Sequence, residues 1–452
     1  MTMFKSESSA CLARPTSVLS AVILFACSVL PGCSFDPSGL SPFDDRDAGS
    51  PDASGPCAQG EHRCQGYLLQ VCSDNSWQDD SLCDWGCLPA PLPHCGQPRF
   101  SNGVSLDNDT GSEAVVFSPG TTTIDTDTGE ITSPSGEPPF ATPYLSRHST
   151  QVSGPGLRII GFQRITIPNG AILRVIGASA LALVAKEEIL VSGRIEALGD
   201  PSGQPSAGGY PGGGAGSQGQ GPGGGGAGRF SCTYTARSGG GGGGGSALGG
   251  MGGTAESFGC TAGGGAAGSP MEPPYLSAPE PMVGGSGGGG GGDGGRGGSG
   301  GGAVMLAAGG AVEIQAGGVV NVGGGGGAAN NSGGGGGSGG MVLIQSRAIT
   351  IAGMLAANGG GGGGAGAESP GTSGTASDSL TPGGGTHGGW GGAGASPQGT
   401  AGTTDGGNAG GGGGAAGRIL LYSATDAVIT STDRVSPHEG TAGFFLSLML
   451  TE

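Results

Sequence analysis

From Leu157 the chain repeats a short pattern: an apolar residue, one intervening residue, a second apolar residue, then a turn. The pairs are Leu157/Ile159, Ile165/Ile167, Leu173/Val175, Leu181/Leu183, Ile189/Val191 and Ile195/Ala197. A spacing of two puts both members of a pair on one side of an extended chain, so each pair predicts a short strand with one face turned inward. Gly193 and Pro168-Asn169-Gly170 lie between pairs and supply turns. The same three-strand unit returns at Val304/Leu306, Val312/Ile314 and Val320/Val322, and again at Val342/Ile344, Ile349/Ile351 and Leu355/Ala357. A further unit begins at Ile419/Leu421 and Val428/Thr430, and the alternation of Phe444, Leu446, Leu448 and Leu450 predicts a strand that covers the last unit.

Three short strands in roughly twenty residues are what one coil of a three-sided parallel β-helix requires. One coil cannot bury its inward face alone, so coils must stack, and about five of them exceed the ~3 needed for stability. Antiparallel hairpins in a sandwich would use the same residue types. The three-strand rhythm, resumed after long interruptions, favours the solenoid. The expected fold class is therefore all-β: a parallel β-helix (solenoid) over residues 151–452 with long glycine-rich insertions, preceded by a small disulfide-rich module.

The insertions fall at 199–302, 323–340 and 359–417, each after the third strand of a coil. Coils stacked in register would send all three out from one edge. Glycine accounts for 111 of 452 residues, in irregular blocks such as Gly239–Gly245 rather than at collagen's every third position. Its small size permits packed polyproline II segments, but its freedom in the unfolded chain opposes ordering. For the longest block disorder is the expectation. Cys232 and Cys260 lie in that block, where a disulfide between them would staple the loop.

At the N-terminus, Lys5 and Arg14 precede an apolar stretch from Ser17 to Leu30 that ends in Leu30-Pro31-Gly32-Cys33. As a helix this stretch would span ~21 Å, short of a bilayer core of ~30 Å, so it reads as a signal segment. Its end resembles the bacterial lipobox, in which the cysteine is diacylated and becomes the mature N-terminus. That resemblance implies a lipoprotein signal peptide over 1–33, lipid attachment at Cys33 and a membrane partner through the anchor. With Ser34 next, it also implies delivery to the cell outer membrane, surface-exposed or facing the periplasm. Residues 34–56, rich in Ser, Pro, Asp and Gly without apolar period, predict a disordered tether.

Cys57, Cys64, Cys72, Cys83, Cys87 and Cys95 follow within the stretch 57–95. An even set this dense in an exported chain predicts disulfides, with fifteen possible pairings. Zinc is disfavoured, because there is no CxxC and only His62 and His94 are near. Trp77, Trp85, Tyr67 and Leu68 are the expected core of this module. The pattern Cys57-x6-Cys64-x-Gly66-x-Leu68-x3-Cys72-x4-Trp77 resembles a short repeat of Gram-negative surface lipoproteins. Residues 157–199, 303–322 and 341–358, with Ile124 to Gly129 upstream, resemble a glycine-rich, PGRS-like family of bacterial surface lipoproteins carrying a Cys-rich N-terminal module. The coil rhythm is similar to that of filamentous-haemagglutinin-type β-helices. The resemblance implies a structural, adhesive or matrix-binding role, with extracellular polysaccharide or envelope components as partners.

The net charge is −17, and residues 34–150 hold seventeen acids against four bases. That balance excludes nucleic acid, whose phosphates demand Lys/Arg patches. Residues 96–150 read as an acidic Ser/Thr/Pro/Gly connector. The alternative function is a β-helical polysaccharide lyase or glycoside hydrolase, which would need clustered carboxylates on neighbouring coils. Glu196 and Glu313 fall on the third and second strands of their coils, Glu187 and Glu188 in a turn, and His148, His387 and His438 outside the coils. No catalytic residue, metal or cofactor is expected from this set. Asp125-Thr126-Asp127-Thr128-Gly129-Glu130 reads as a hairpin turn rather than a calcium loop. Tyr210, Arg229, Phe230, Tyr234 and Trp390 sit in glycine blocks, where each could stack on a sugar ring or anchor its own loop.

Overall fold

The computed structural model describes residues 57–136, 144–204, 206–231, 235–271, 281–366, 370–371, 385–425 and 427–449. The signal segment, Cys33 and the tether lie outside these residues. The described chain is all-β, with a single four-residue α-helix, α1 (Leu106–Asp109).

The cysteine stretch contains β1 (His62–Gln65), β2 (Leu68–Ser73) and β3 (Ser76–Leu82), followed by β4 (Cys87–Leu88) and β5 (His94–Cys95). Three disulfides close it: Cys57–Cys72, Cys64–Cys87 and Cys83–Cys95. Residues 57–59 and 72–77 form one compact unit, held by the first of these, and the remaining described residues belong to a second. Tyr67, expected in the module core, is 59% exposed, whereas Cys57, Leu69, Cys72 and Cys83 are each buried. Cross-links supply what so short a stretch cannot gain from apolar burial.

The expected connector is more than a linker. It contributes β6 (Ala114–Val116), β7 (Gly120–Asp125), β8 (Ile131–Thr132) and β9 (Leu145–Ser149). Val115, Phe117, Ile124 and Ile131 from this stretch enter the main core.

Next come two complete strand triplets: β10 (Leu157–Phe162), β11 (Arg164–Ile167) and β12 (Ala171–Ile176), then β13 (Ala180–Ala185), β14 (Glu188–Val191) and β15 (Arg194–Glu196). After the first insertion, β16 (Ala303–Ile314) runs through the first and second positions of its triplet and β17 (Val319–Asn321) takes the third. After the second insertion, β18 (Met341–Ile351) and β19 (Met354–Ala356) repeat this. After the third come β20 (Arg418–Ser423), β21 (Val428–Ile429), β22 (Val435–Ser436) and finally β23 (Phe444–Leu448).

Three parallel stacks result. One runs β10–β13–β16–β18–β20–β23. A second runs β6–β11–β14–β16–β18–β21. The third runs β7–β12–β15–β17–β19–β22. Parallel pairing rules out the hairpin sandwich for these strands. Register places like residues on like: Ile160, Leu183, Leu306, Ile344 and Leu421 form one ladder. Leu173, Ile195, Val320, Leu355 and Val435 form another. All belong to one buried cluster.

Two pairs differ from expectation. Leu157 and Ile159 face away from this cluster, and Ile160 and Phe162 point into it. The first stack is buried on both sides, its outer face covered by Phe100, Val104, Met282 and Met449. A strand apolar at consecutive positions carries no period-2 signal to tell its faces apart. In β21, Val428 is exposed and Ile429 packs on the core instead.

The glycine insertions are ordered wherever they are described. They run back and forth between the sheet edge and a far set of turns, joined by backbone hydrogen bonds at every third residue. Gly240 and Gly243 donate to the carbonyls of Gly333 and Gly336 at 3.0 and 2.9 Å, and Gly333 and Gly336 donate to Ala409 and Gly412 at 3.0 and 2.8 Å. Three residues per turn is the polyproline II repeat.

Segment 238–246 is bonded to neighbours on all sides. Gly241 donates to Gly226 at 2.9 Å, Gly242 to Gly250 at 2.8 Å and Gly240 to Gly333; Gly265, Gly289 and Gly412 donate back to Gly239, Gly241 and Gly240 at 2.9, 2.8 and 2.9 Å. Such close packing leaves no room for a side chain: a Cβ on Gly241 would lie 1.9 Å from the Ala266 carbonyl, and one on Gly242 1.9 Å from that of Gly413. Disorder was expected because of glycine's ordering entropy. What opposes that entropy is a close-packed lattice in which buried N–H and C=O groups find partners and backbones make dense dispersion contact.

Candidate binding surface

At the end away from the sheets, the glycine segments turn through short hairpins. Phe230–Ser231 pairs with Ala236–Arg237, Ala255–Ser257 with Cys260–Ala262, and Thr404–Asp405 with Asn408–Ala409. Arg237 ties them together. Its backbone pairs with Asn408, and its Nε lies 2.8 Å from Asp293 Oδ2 in an ion pair whose N–H is not aimed at the oxygen. Asp293 also accepts from Asn331 Nδ2 at 3.1 Å. Beneath the turns, Ala236, Ala255, Ala262 and Ala409 make a small buried cluster.

This end displays aromatic residues. Phe258 is 94% exposed on a backbone of φ 49°, and Phe230 is half-exposed. Phe258 was not among the aromatic residues singled out from the sequence. Its signal was the hairpin chemistry of Glu256-Ser257-Phe258-Gly259, masked by the surrounding glycine. Trp390 is half-exposed on the 387–393 segment, where its backbone N–H donates to Thr400 Oγ1 at 2.6 Å. Tyr210 anchors its own loop: a Cβ on Gly221 would lie 2.8 Å from its ring, and burial raises its phenol above the ordinary value. Arg229 is exposed and donates its N–H to Ser238 Oγ at 2.7 Å. Cys260 is disulfide-bonded, while its expected partner Cys232, and Tyr234, lie outside the described residues.

The strand carboxylates stay apart. Glu196 pairs with Arg194 at 2.7 Å on β15, while Glu313 lies exposed on β16 in register with Leu190 and Thr350. Glu187 and Glu188 both bind Arg164, at 2.7 and 2.9 Å. The fold does assemble His148, Ser179 and Asp127. His148 Nε2 is 3.1 Å from Ser179 Oγ, which donates to Asp127 Oδ1 at 3.5 Å. A nucleophile needs its histidine oriented by a third group and an open approach. Here the carboxylate faces the serine rather than His148 Nδ1, it is taken up by the Ala178 N–H at 3.0 Å, and Ser179 is buried. The cluster pins β9 to the β7–β8 turn. That turn is the expected hairpin, with Asp125 accepting from the Asp127 and Thr128 N–H groups at 2.8 and 3.1 Å.

Among the described residues no group of three His, Cys, Asp or Glu is placed to hold a metal, and no helix is long and apolar enough to cross a membrane. A cleft of about 650 Å3 lies beside Trp85, Arg99, Phe100 and Asp107, with Trp85 edge-on to Phe100 at 6.2 Å. Neither that ring pair nor the salt bridge of the buried Asp109 with Arg147 had a signal in the sequence. No family model, curated protein or solved structure matches this chain.

Proposed function

We propose that the chain is a lipid-anchored protein of the bacterial outer membrane, with a structural or adhesive role toward extracellular polysaccharide or other envelope components, and no catalysis. In this reading Cys33 carries the lipid and residues 34–56 form the tether. The stacked triplets act as a parallel β-solenoid, and the glycine bundle projects from its edge as a stiff spacer. The observation that carries the reading is the far end of that bundle, where a rigid backbone lattice ends in hairpins presenting Phe258 and Phe230 to solvent. A solvent-facing aromatic on a fixed turn costs little entropy when it stacks on a sugar ring. The well-separated positions of Glu196 and Glu313 weigh against the lyase or hydrolase alternative.

Metabolic palmitate labelling of the wild type and Cys33→Ala, with protease shaving of intact cells, tests the anchor and its exposure. Label lost in the variant and a shaved wild type are expected; an unlabelled wild type found in the medium would overturn the anchor. Co-sedimentation with isolated envelope polysaccharide tests the working end. Phe258→Ala is expected to weaken binding about tenfold, the loss of ~1.4 kcal/mol. Equal binding by wild type and variant would refute the role of the hairpins.

A further inference from the structure

We propose that a second copy of this chain packs into the open groove between segments 221–229 and 263–269, continuing the glycine lattice across a two-fold interface. The groove has a volume of about 640 Å3 and is lined by Pro222, Gly224, Ala227, Gly264, Ala267 and Ser269, among others. Its two walls are already neighbours, joined by the Gly226 N–H to the Ala266 carbonyl at 2.8 Å. Inside the bundle, the valley between two bonded segments is where the next segment lies. Among the described residues no segment lies in this valley.

The hydrogen-bond pattern shows what would fit. On the 263–269 wall, the inward donors Gly265 and Gly268 reach the carbonyls of Gly239 and Gly242, both at 2.9 Å. One residue earlier, the N–H groups of Gly264 and Ala267 meet no partner among the described residues, nor does that of Ala227 on the opposite wall. Gly264 and Ala267 are one polyproline II turn apart, about 9.3 Å. Filled valleys are bonded at this same repeat, as at Gly240 and Gly243. The occupant must therefore be an extended strand of three-residue period with small residues at the contact.

A second copy offers such a strand. Along the 263–269 wall, Gly263, Ala266 and Ser269 form a ridge exposed at every third position, and all three line the groove's edge. Because ridge and groove adjoin on one face, a two-fold axis lays each copy's ridge in the other's groove and closes the assembly at two. Charge allows the approach: Arg229 is the only charged residue in 218–229 and 262–271, although the chain as a whole carries −17. Leu248 and Met251, exposed on the adjoining segment, add apolar area at the rim.

The test is sedimentation equilibrium of the purified full chain in a non-denaturing detergent, so that the acyl group proposed on Cys33 cannot itself cause association. The wild type is expected to populate a dimer. Ala266→Glu and Ser269→Glu should each weaken it at least tenfold with the melting temperature unchanged, and Arg174→Glu, on the exposed side of β12, should leave it intact. A wild type that stays monomeric at its highest soluble concentration overturns the proposal, as does a dimer that survives both glutamates. If a glutamate variant does not fold, mixing Ala227→Cys with Ser269→Cys decides. Disulfide-linked pairs of the two variants are expected, and their absence overturns the interface.

Discussion

Ser286 donates its backbone N–H to Ser338 Oγ at 2.8 Å, and the N–H of Ser338 returns to the Ser286 carbonyl at 2.9 Å. The two residues are fully buried and belong to different insertions, separated in sequence by the whole triplet β16–β17. A hydroxyl fits where the lattice meets the sheets because it accepts from a backbone donor that the three-residue repeat leaves over. Ser338→Ala would strand the Ser286 N–H away from water. The expected destabilisation is about 1–3 kcal/mol, read as a shift in the urea midpoint. Ser338→Gly should behave the same way, since the missing group is the acceptor; a variant as stable as the wild type would refute this role.

The interior of the bundle should be intolerant of methyl groups and its rim indifferent to them. A Cβ on Gly336 would stand 2.1 Å from the Gly360 carbonyl, and one on Gly242 1.9 Å from that of Gly413. These obstacles are backbone and cannot swing aside. Gly336→Ala and Gly242→Ala are expected to lose more than about 3 kcal/mol, at or beyond the upper range for overpacking. A Cβ at Gly214 or Gly263 meets nothing within 4 Å. There alanine should be neutral or should stabilise by about 0.4–1 kcal/mol through the unfolded chain. Thermal unfolding of the four variants checks this, and equal effects at all four positions would count against a close-packed lattice.

The stacked strands were legible because their inward residues obey a period of two and recur in threes. Ile165, Leu173, Leu183 and Ile195 all reach the core as that rhythm predicts. Leu157 and Ile159 misled because a strand covered on both sides carries apolar residues on both faces, and the cover includes Phe100 and Met449, remote in sequence. The order of the glycine blocks was hidden by treating glycine as a source of entropy alone. Its arrangement did carry a signal. Leu248, Met251 and Thr254 stand three apart with glycines between, and all three are exposed, as on a rim segment. The unbroken run Gly239–Gly245 belongs to a segment with neighbours on every side. An uninterrupted run thus marks the interior, and a side chain at every third residue marks the surface. The hairpin tips stayed illegible, since which turns meet at one end depends on the folded path of all three insertions.

An ion pair buried at its aspartate and part-exposed at its arginine fixes the loop that covers the first stack. The Asp109 side chain is wholly buried and bound to Arg147 through both oxygens, one of them to Nη2 at 2.8 Å. Asp109 also accepts from the Ser105 N–H at 2.9 Å, and the hydrogen bond that Arg147 itself donates to Asp109 raises the guanidinium above its ordinary value. Arg147→Met keeps the aliphatic stem but leaves a carboxylate buried without its counter-charge. The expected loss is about 3–5 kcal/mol. The double variant Arg147→Met, Asp109→Leu should recover much of it, because no charge is then stranded. A double-mutant cycle in urea checks the coupling, and additive losses would refute it.

The fold should weaken in alkali through two phenols. Tyr144 packs on Phe162 with ring centroids 6.1 Å apart and donates to the Gly129 carbonyl at 2.7 Å. Burial raises its ionisation above the ordinary value of 10.0; the nearby Glu130 adds to this, and Arg158 works against it. Tyr210 is raised for the same leading reason. In each case the folded chain holds its proton to higher pH than the unfolded chain does. Between about pH 10 and the raised value, the unfolded state therefore gives up protons that the folded state keeps. The contribution is complete below about pH 10 and is lost progressively above it. Urea midpoints should accordingly be flat with respect to these groups from pH 7 to 9 and fall beyond pH 10. Tyr144→Phe should start lower at neutral pH, by about 0.5–1.5 kcal/mol for the missing hydrogen bond, yet decline less steeply in alkali. An identical alkaline slope in wild type, Tyr144→Phe and Tyr210→Phe would show that neither phenol is held neutral by the fold.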